Sequence, residues 1–156
     1  MANSEARVES INTSRGGVPK TAVLDAQVTN DGIVGDVQRD LRYHGGPERA
    51  VSIYSLERIE ALRREGHPIA PGTAGENLTV SGLDWPLLVP GCEIQVGDVR
   101  LAMTRYASPC EKIRHSFKND DFTRISQKAH PGWSRVYCRV LTPGTIRPGD
   151  PVRLVK

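Results

Sequence analysis

The sequence predicts a mainly β domain, built as a barrel or a sandwich, and three observations support that prediction. Alternating or uninterrupted apolar segments of strand length recur along the whole chain. Fifteen glycines and eleven prolines separate these segments, so the chain turns often. One segment alone is well marked as an amphipathic helix. Many short strands joined by tight turns are typical of barrels and sandwiches.

Eight strands are predicted, and they share apolar residues bounded by Gly, Pro, Asn or Asp. Turns such as Asn30-Asp31-Gly32 and Pro148-Gly149-Asp150 suit these ends, because Gly, Asn and Asp tolerate the positive φ that tight turns require. The predicted strands are Arg7 to Ile11, Thr21 to Val28, Ala50 to Tyr54, Asn77 to Val80, Glu93 to Val96, Val99 to Thr104, Arg135 to Leu141 and Pro151 to Val155.

Two helical regions interrupt the strands. Ser55 can cap a helix from Leu56 to Glu65, and Gly66 can end it. A second region is predicted to begin at Ser108-Pro109-Cys110, where Ser can cap and Pro fits the first turn. It continues to Phe117 and then from Asp121 to Lys128. The first helix is expected to cover one mouth of a barrel.

Length and composition fit one globular domain spanning residues 1–156. The chain is 38% hydrophobic and 25% charged, which argues against disorder, a coiled coil or a fibre. It contains neither an apolar stretch long enough to cross a membrane nor an apolar N-terminal signal segment. A net charge of +3 does not predict nucleic-acid binding. Three cysteines without CxxC spacing predict a cytoplasmic protein without disulfides.

Cys110 is the most suggestive candidate for chemistry. A thiol in the first turn of a helix lies at the positive end of the helix dipole, which favours the thiolate. A thiolate can attack an electrophile, carry a persulfide sulfur or bind a metal. The alternative is a partly buried cysteine that acts as a small hydrophobic residue. Cys138 alternates with apolar strand residues and Cys92 follows a Pro-Gly turn, so both are predicted to be structural.

Three loop segments are candidate ligand sites. Arg15 to Thr21 and His44 to Arg49 combine glycines with basic side chains, which suits an oxyanion. Gly75-Glu76-Asn77 places an acid and an amide at the entrance of a strand, where they could bind a polar heterocycle or complete a turn. Each segment alone is equally explained as an ordinary turn. The sequence contains neither the GxxxxGK[ST] motif of nucleoside triphosphate-binding loops nor the GxGxxG motif of dinucleotide-binding domains. The spacing of its histidines does not match a zinc site.

Taken in order, these motifs resemble the MOSC domain family, named after the C-terminal domain of molybdenum cofactor sulfurases. The resemblance runs from about Val8 to Leu154. It is carried by Gly32-Ile33-Val34-Gly35-Asp36, His44-Gly45-Gly46 with Arg49-Ala50-Val51 and Tyr54, Gly75-Glu76-Asn77-Leu78, Pro109-Cys110, Arg135-Val136 and Gly149-Asp150. It implies a closed β-barrel related to the pyruvate kinase β-barrel domain, with a few short helices.

The resemblance also implies roles for particular residues. Cys110 matches the position proposed to hold molybdenum or accept sulfur, so it is expected to be both the catalytic residue and the metal ligand. The molybdenum cofactor, molybdopterin, is the implied cofactor, with Lys20 and Thr21 near its phosphate. The full set of expected cofactor-binding residues is Lys20, Thr21, His44, Gly45, Gly46, Arg49, Gly75, Glu76 and Asn77.

Relatives with these motifs reduce N-hydroxylated compounds, which implies a molybdenum-dependent oxidoreductase acting on a small molecule. No flavin, haem or iron–sulfur motif is present, so a separate reductase is expected to supply electrons. One alternative is a sulfur carrier, in which Cys110 receives a persulfide from a cysteine desulfurase and passes it to a metal–sulfur cluster or cofactor. Another is a cofactor carrier without turnover. Nucleic-acid and membrane partners are not expected.

Overall fold

Two open sheets form the fold in the computed structural model, which describes residues 5–37 and 46–155. They contain eleven strands among those residues. The strands are β1 (Arg7–Thr13), β2 (Thr21–Val23), β3 (Ala26–Thr29), β4 (Gly32–Ile33), β5 (Val51–Ser55), β6 (Leu78–Ser81), β7 (Glu93–Val96), β8 (Val99–Tyr106), β9 (Val136–Thr142), β10 (Gly144–Ile146) and β11 (Val152–Leu154).

The larger sheet is mixed and open, so the predicted closed barrel is wrong. Its order is β11-β7-β8-β9-β5-β6-β1-β2, and every pair is antiparallel except β5 and β6. Between β1 and the start of β11, the described residues form a single bridge, from Arg7 to Pro151, rather than a ladder. Three backbone hydrogen bonds join Ala6 and Val8 to residues 149–152, but among the described residues they form an isolated bridge and do not extend into a strand ladder that closes the sheet.

The smaller sheet corrects one strand prediction and adds two strands that were not predicted. It has the antiparallel order β10-β3-β4. The strand predicted from Thr21 to Val28 is divided at the exposed Leu24 and Asp25, so that β2 joins the larger sheet and β3 joins the smaller one. The strands β4 and β10 were not predicted, since two or three residues are too few to show a period.

The first predicted helix is confirmed as α1 (Leu56–Arg64). Ser55 caps it as expected, because its hydroxyl accepts a hydrogen bond from Arg58 N at 3.1 Å. Ile59 and Leu62 are buried on one face. The helix connects β5 to the parallel strand β6, a connection that a short hairpin cannot make. The crossover places the segment before β6 beside the start of β5.

The second predicted helical region consists of 3₁₀ helices and not of an α-helix. The chain after Cys110 forms three short 3₁₀ helices, Glu111–Ser116, Lys118–Asp120 and Phe122–Ile125. Asn119 and Asp120 have positive φ values of 55°, which an α-helix does not accommodate. Cys110 itself is extended, with φ −138° and ψ 172°. Cys110 is therefore the N-cap residue of a six-residue 3₁₀ helix, and it does not lie in the first turn of an α-helix as predicted.

One apolar core lies under the sheets and α1. Cys138, on β9, has no exposed surface, and Cys92 is 7% exposed, so the prediction that both pack inside the protein is confirmed. Burial raises the pKa of both thiols. None of the helices within 5–37 and 46–155 has the length and apolar character needed to cross a membrane.

Two glycines of the segment before Asp36 provide a matched test of the fold. A Cβ on Gly32 would lie 2.5 Å from the carbonyl oxygen of Ala50, whereas a Cβ on Gly35 would meet no atom within 4 Å. Both have positive φ. We expect Gly35→Ala to lower the free energy of unfolding by about 1 kcal/mol, for backbone strain alone, and Gly32→Ala by roughly 3 kcal/mol or more. Urea denaturation measures both, and equal losses would contradict this packing.

Candidate functional site

The carboxylate of Asp36 joins three segments at the base of the site. It accepts hydrogen bonds from Lys20 Nζ at 2.6 Å, Asn77 Nδ2 at 2.9 Å and Ser14 N at 3.0 Å. The side chains of Lys20 and Asp36 are 7% and 2% exposed. A buried charge is costly unless it is paired and hydrogen-bonded, and here both conditions are met. The structure thus brings together Lys20 and Asn77, two of the predicted site residues.

Asn77 uses its whole side chain within the protein. Besides Asp36, its Nδ2 donates to the carbonyl of Asn12 at 3.3 Å. Its Oδ1 accepts from the backbone N of Ser52 at 3.0 Å and from the Ser52 hydroxyl at 3.3 Å. The side chain is 99% enclosed, and it ties β1, β5 and the segment before β6 together. Its predicted contact with a cofactor stays a prediction.

Glu76 and Arg135 are two further buried ionisable residues beside this cluster. Glu76 has no exposed surface, and its Oε2 accepts a hydrogen bond from the Thr79 hydroxyl at 2.9 Å. Its Oε1 makes no hydrogen bond among the described residues, nor does Arg135 Nε. Burial raises the pKa of the Glu76 carboxyl, and the positive charge of Arg135 partly opposes that rise.

Arg135 also holds two loop segments against each other. Its Nη1 donates to the carbonyl of Ala74 at 2.8 Å, and its Nη2 donates to the carbonyl of Ser108 at 3.3 Å. The Ser116 hydroxyl donates to Thr73 Oγ1 at 3.0 Å, which makes a second link between the same segments. The chain around Cys110 is thereby fixed beside the segment that contains Gly75 and Glu76.

Gly75 lies where the first loop meets this segment. Its φ is +87°, and a Cβ there would lie 3.1 Å from Val18 Cγ1 and 3.9 Å from Arg135 Nη1. Glycine therefore allows both the backbone conformation and the close approach of the loop that leads to Lys20.

Cys110 is the partly exposed cysteine of the three, and it forms no disulfide. Its carbonyl accepts a hydrogen bond from Ile113 N at 3.1 Å, which starts the first 3₁₀ helix. Since Cys92 and Cys138 are buried, Cys110 is the cysteine at which a reagent or a metal could arrive.

The remaining predicted site residues have the following positions. Thr21 is exposed, and its hydroxyl makes a long hydrogen bond of 3.5 Å to the carbonyl of Thr13. Gly46 is exposed with φ +78°, just before a 3₁₀ turn that contains Arg49. The guanidinium of Arg49 lies 5.9 Å from the centre of the Tyr137 ring on β9. His44 and Gly45 lie outside the described residues.

Sequence reasoning quoted Asp36 and Arg135 within motifs but assigned neither a role. Asp36 ends a Gly-Asp turn, which alone resembles a loop residue exposed to solvent. Arg135 opens a predicted strand, where a basic side chain is ordinary. The sequence signal for both residues was a single charged side chain next to an apolar, buried strand. That signal does not identify the residues to which the side chain hydrogen-bonds.

Differences in thiol exposure predict the reactivity of the native protein. With a thiol-specific reagent such as dithiobis-nitrobenzoate, we expect about one fast-reacting group per native chain and three after denaturation. Cys110→Ala should remove the fast phase, and Cys92→Ala should retain it. A fast phase that survives Cys110→Ala would contradict the assignment of Cys110 as the accessible thiol.

The buried Glu76 carboxyl predicts a pH-dependent stability. Its pKa in the folded state is raised above the ordinary value of 4.5, so the folded protein binds this proton more tightly than the unfolded chain does. The contribution of this protonated carboxyl to the free energy of unfolding is fully present below pH 4.5, and it is lost as the pH rises through the folded-state pKa. Urea denaturation should show that, as the pH rises through this range, the free energy of unfolding of wild type falls relative to that of Glu76→Gln, which has no carboxyl to titrate.

The matched control is Glu60→Gln, which removes one negative charge from the exposed face of α1. The reverse trend, with wild type gaining on Glu76→Gln as the pH rises, would show that the carboxyl is stabilised in its charged form.

Comparisons with known proteins identify the family of the chain. The sequence model of the MOSC domain matches residues 40–153. YflK of Bacillus subtilis, described as uncharacterized, is 31% identical over 140 residues, which is 87% of this chain and 60% of YflK. A protein of Gibberella moniliformis named Reductase is 30% identical over 131 residues, 80% of this chain and 23% of that protein.

A solved structure of a related protein has a similar fold. The crystal structure of YiiM from Geobacillus stearothermophilus superimposes with a TM-score of 0.76 at 27% identity, covering 97% of this chain and 75% of that one. The chain spans about 60% of the length of its curated relative YflK. A family match over most of the chain, together with these relatives, shows that the chain belongs to the MOSC domain family.

Proposed function

We propose that this chain is a molybdenum-cofactor-binding oxidoreductase that reduces N-hydroxylated compounds, with the Cys110 thiolate as the protein's ligand to the metal. The observation that carries the proposal is the accessibility of Cys110 on a segment that Arg135 fixes beside Gly75 and Glu76. Membership of the MOSC family and similarity to a protein named Reductase support it.

The residues present fit such a cofactor. A thiolate is a soft donor suited to molybdenum, and the cofactor's pterin brings two dithiolene sulfurs of its own, so a single protein thiolate completes the sulfur ligands. Lys20 uses one of its three N–H groups on Asp36 within the described contacts, which leaves donors for an anionic group. Gly75 lets the first loop approach closely without a side chain between them.

When bound, the cofactor would supply a two-electron redox centre beside the substrate. The overall conversion consumes an N–OH group, two electrons and two protons, and yields an N–H group and water. The chain's own contribution is to hold Cys110 in place through Arg135 and to keep the positive charge of Lys20 fixed by Asp36. A separate reductase would deliver the electrons, since no redox motif of the chain does so.

Molybdenum content tests the proposal directly. Protein purified from a cofactor-producing bacterial host should contain about one molybdenum atom per chain, measured by elemental mass spectrometry. Cys110→Ala should lower this to near zero, because it removes the one cysteine of the described residues that is not buried, while the matched variant Cys92→Ala should retain the metal. Wild-type protein should then reduce benzamidoxime with an artificial electron donor.

Two outcomes would contradict the proposal in distinct ways. Cyanide-labile sulfur on Cys110 without molybdenum would indicate a sulfur carrier that receives its sulfur from a desulfurase. Molybdenum bound through Cys110 without turnover of N-hydroxylated substrates would indicate a cofactor carrier.

A further inference from the structure

A small cavity lies between the first loop and the 3₁₀ helix that follows Cys110. Its volume is about 230 Å³. Val18, Pro19, Pro68 and Ile113 form apolar walls, and Lys112 and His115 supply basic side chains. Ile113 is 4% exposed, whereas Lys112, His115, Pro19 and Pro68 are exposed, so the former lies at the base and the latter at the mouth.

The cavity is built from the same segments as the candidate site. Val18 and Pro19 lead directly to Lys20, and Thr73, which also lines the cavity, lies two residues before Gly75. The opposite wall is bonded to the thiol segment, because Ile113 N donates to the carbonyl of Cys110 at 3.1 Å.

We propose that this cavity is the substrate pocket of the reductase proposed above, and that it selects small planar N-hydroxylated compounds that carry an anionic group. The inference rests on the proposed function for the reaction, but the selectivity follows from the pocket itself. Of two ligands that differ in one carboxylate, the pocket should bind the carboxylated one more tightly.

The size and the walls limit the body of the ligand. Pockets for drug-sized ligands are commonly about 300–1,000 Å³, so this one suits one or two rings. The four apolar side chains favour a flat, apolar body. The hydroxyls of Thr73 and Ser116 hydrogen-bond to each other at 3.0 Å, so the base of the pocket does not require a polar ligand to satisfy them.

The charge at the mouth determines the preferred substituent. None of the residues that line the pocket is acidic. Lys112 forms no ion pair with a described residue, so its charge is available to a ligand. A carboxylate at the outer end of the ligand would lie near Lys112 and His115, and the rest of the ligand would lie against the apolar walls.

Direct binding of two matched probes tests the inference. Benzamidoxime and 4-carboxybenzamidoxime are titrated into the full-length protein without reductant, and Kd is measured by nuclear magnetic resonance. We expect the carboxylated probe to bind about threefold to fivefold more tightly, as for one partly exposed ion pair, and high salt to remove most of the difference.

Lys112→Ala should abolish this preference, so that the ratio of the two Kd values falls to about one, because the variant removes the charge and Lys112 forms no ion pair with a described residue. Lys128→Ala, which removes an exposed lysine outside the pocket, should keep it. Equal affinities in wild type, or a preference that survives Lys112→Ala, would overturn the inference. Because no turnover is required, this result is read separately from the molybdenum measurement, whose failure would remove the reductase function instead.

Discussion

The buried carboxylate of Asp36 is the constraint on which the rest of the site depends. Its partners come from the turn after β1, from the loop before β2 and from the segment before β6. Separating the Lys20 segment would leave a charge in the protein interior without its ionic partner, at a cost of several kcal/mol, and separating either of the other two segments would remove a hydrogen bond to that buried charge. The ion pair therefore fixes three loops that a sheet alone would leave free to move independently.

This arrangement gives the motif residues two tasks. Asn77 and Lys20 belong to loops that line the candidate site, yet their side chains are also bonded to the body of the protein. Arg135 likewise joins the loop before Cys110 to the loop before β6 through backbone carbonyls. Where a side chain is committed to the fold, the groups left for a ligand are backbone atoms, the remaining Lys20 N–H groups and the Cys110 thiol.

The sequence was informative where local pattern determines structure. Ser55 and the apolar spacing after it predicted α1, and the alternation around Cys138 predicted its burial. Sheet closure was predicted wrongly, because it depends on how far β1 pairs with β11, and these two strands lie at opposite ends of the sequence. The contacts of Asp36 join residues up to 41 positions apart, so no local signal could identify them. The family resemblance supplied the order of motifs but not these partners.

The open sheet has a consequence for self-association of the protein through its edge strands. Both of its outermost strands, β2 and β11, have three residues, and β11 carries an exposed arginine, Arg153. An unpaired strand edge can recruit a foreign strand through its free amides, and short or charged edges offer few of them. The chain thus leaves its sheet unclosed while exposing little backbone that could template aggregation.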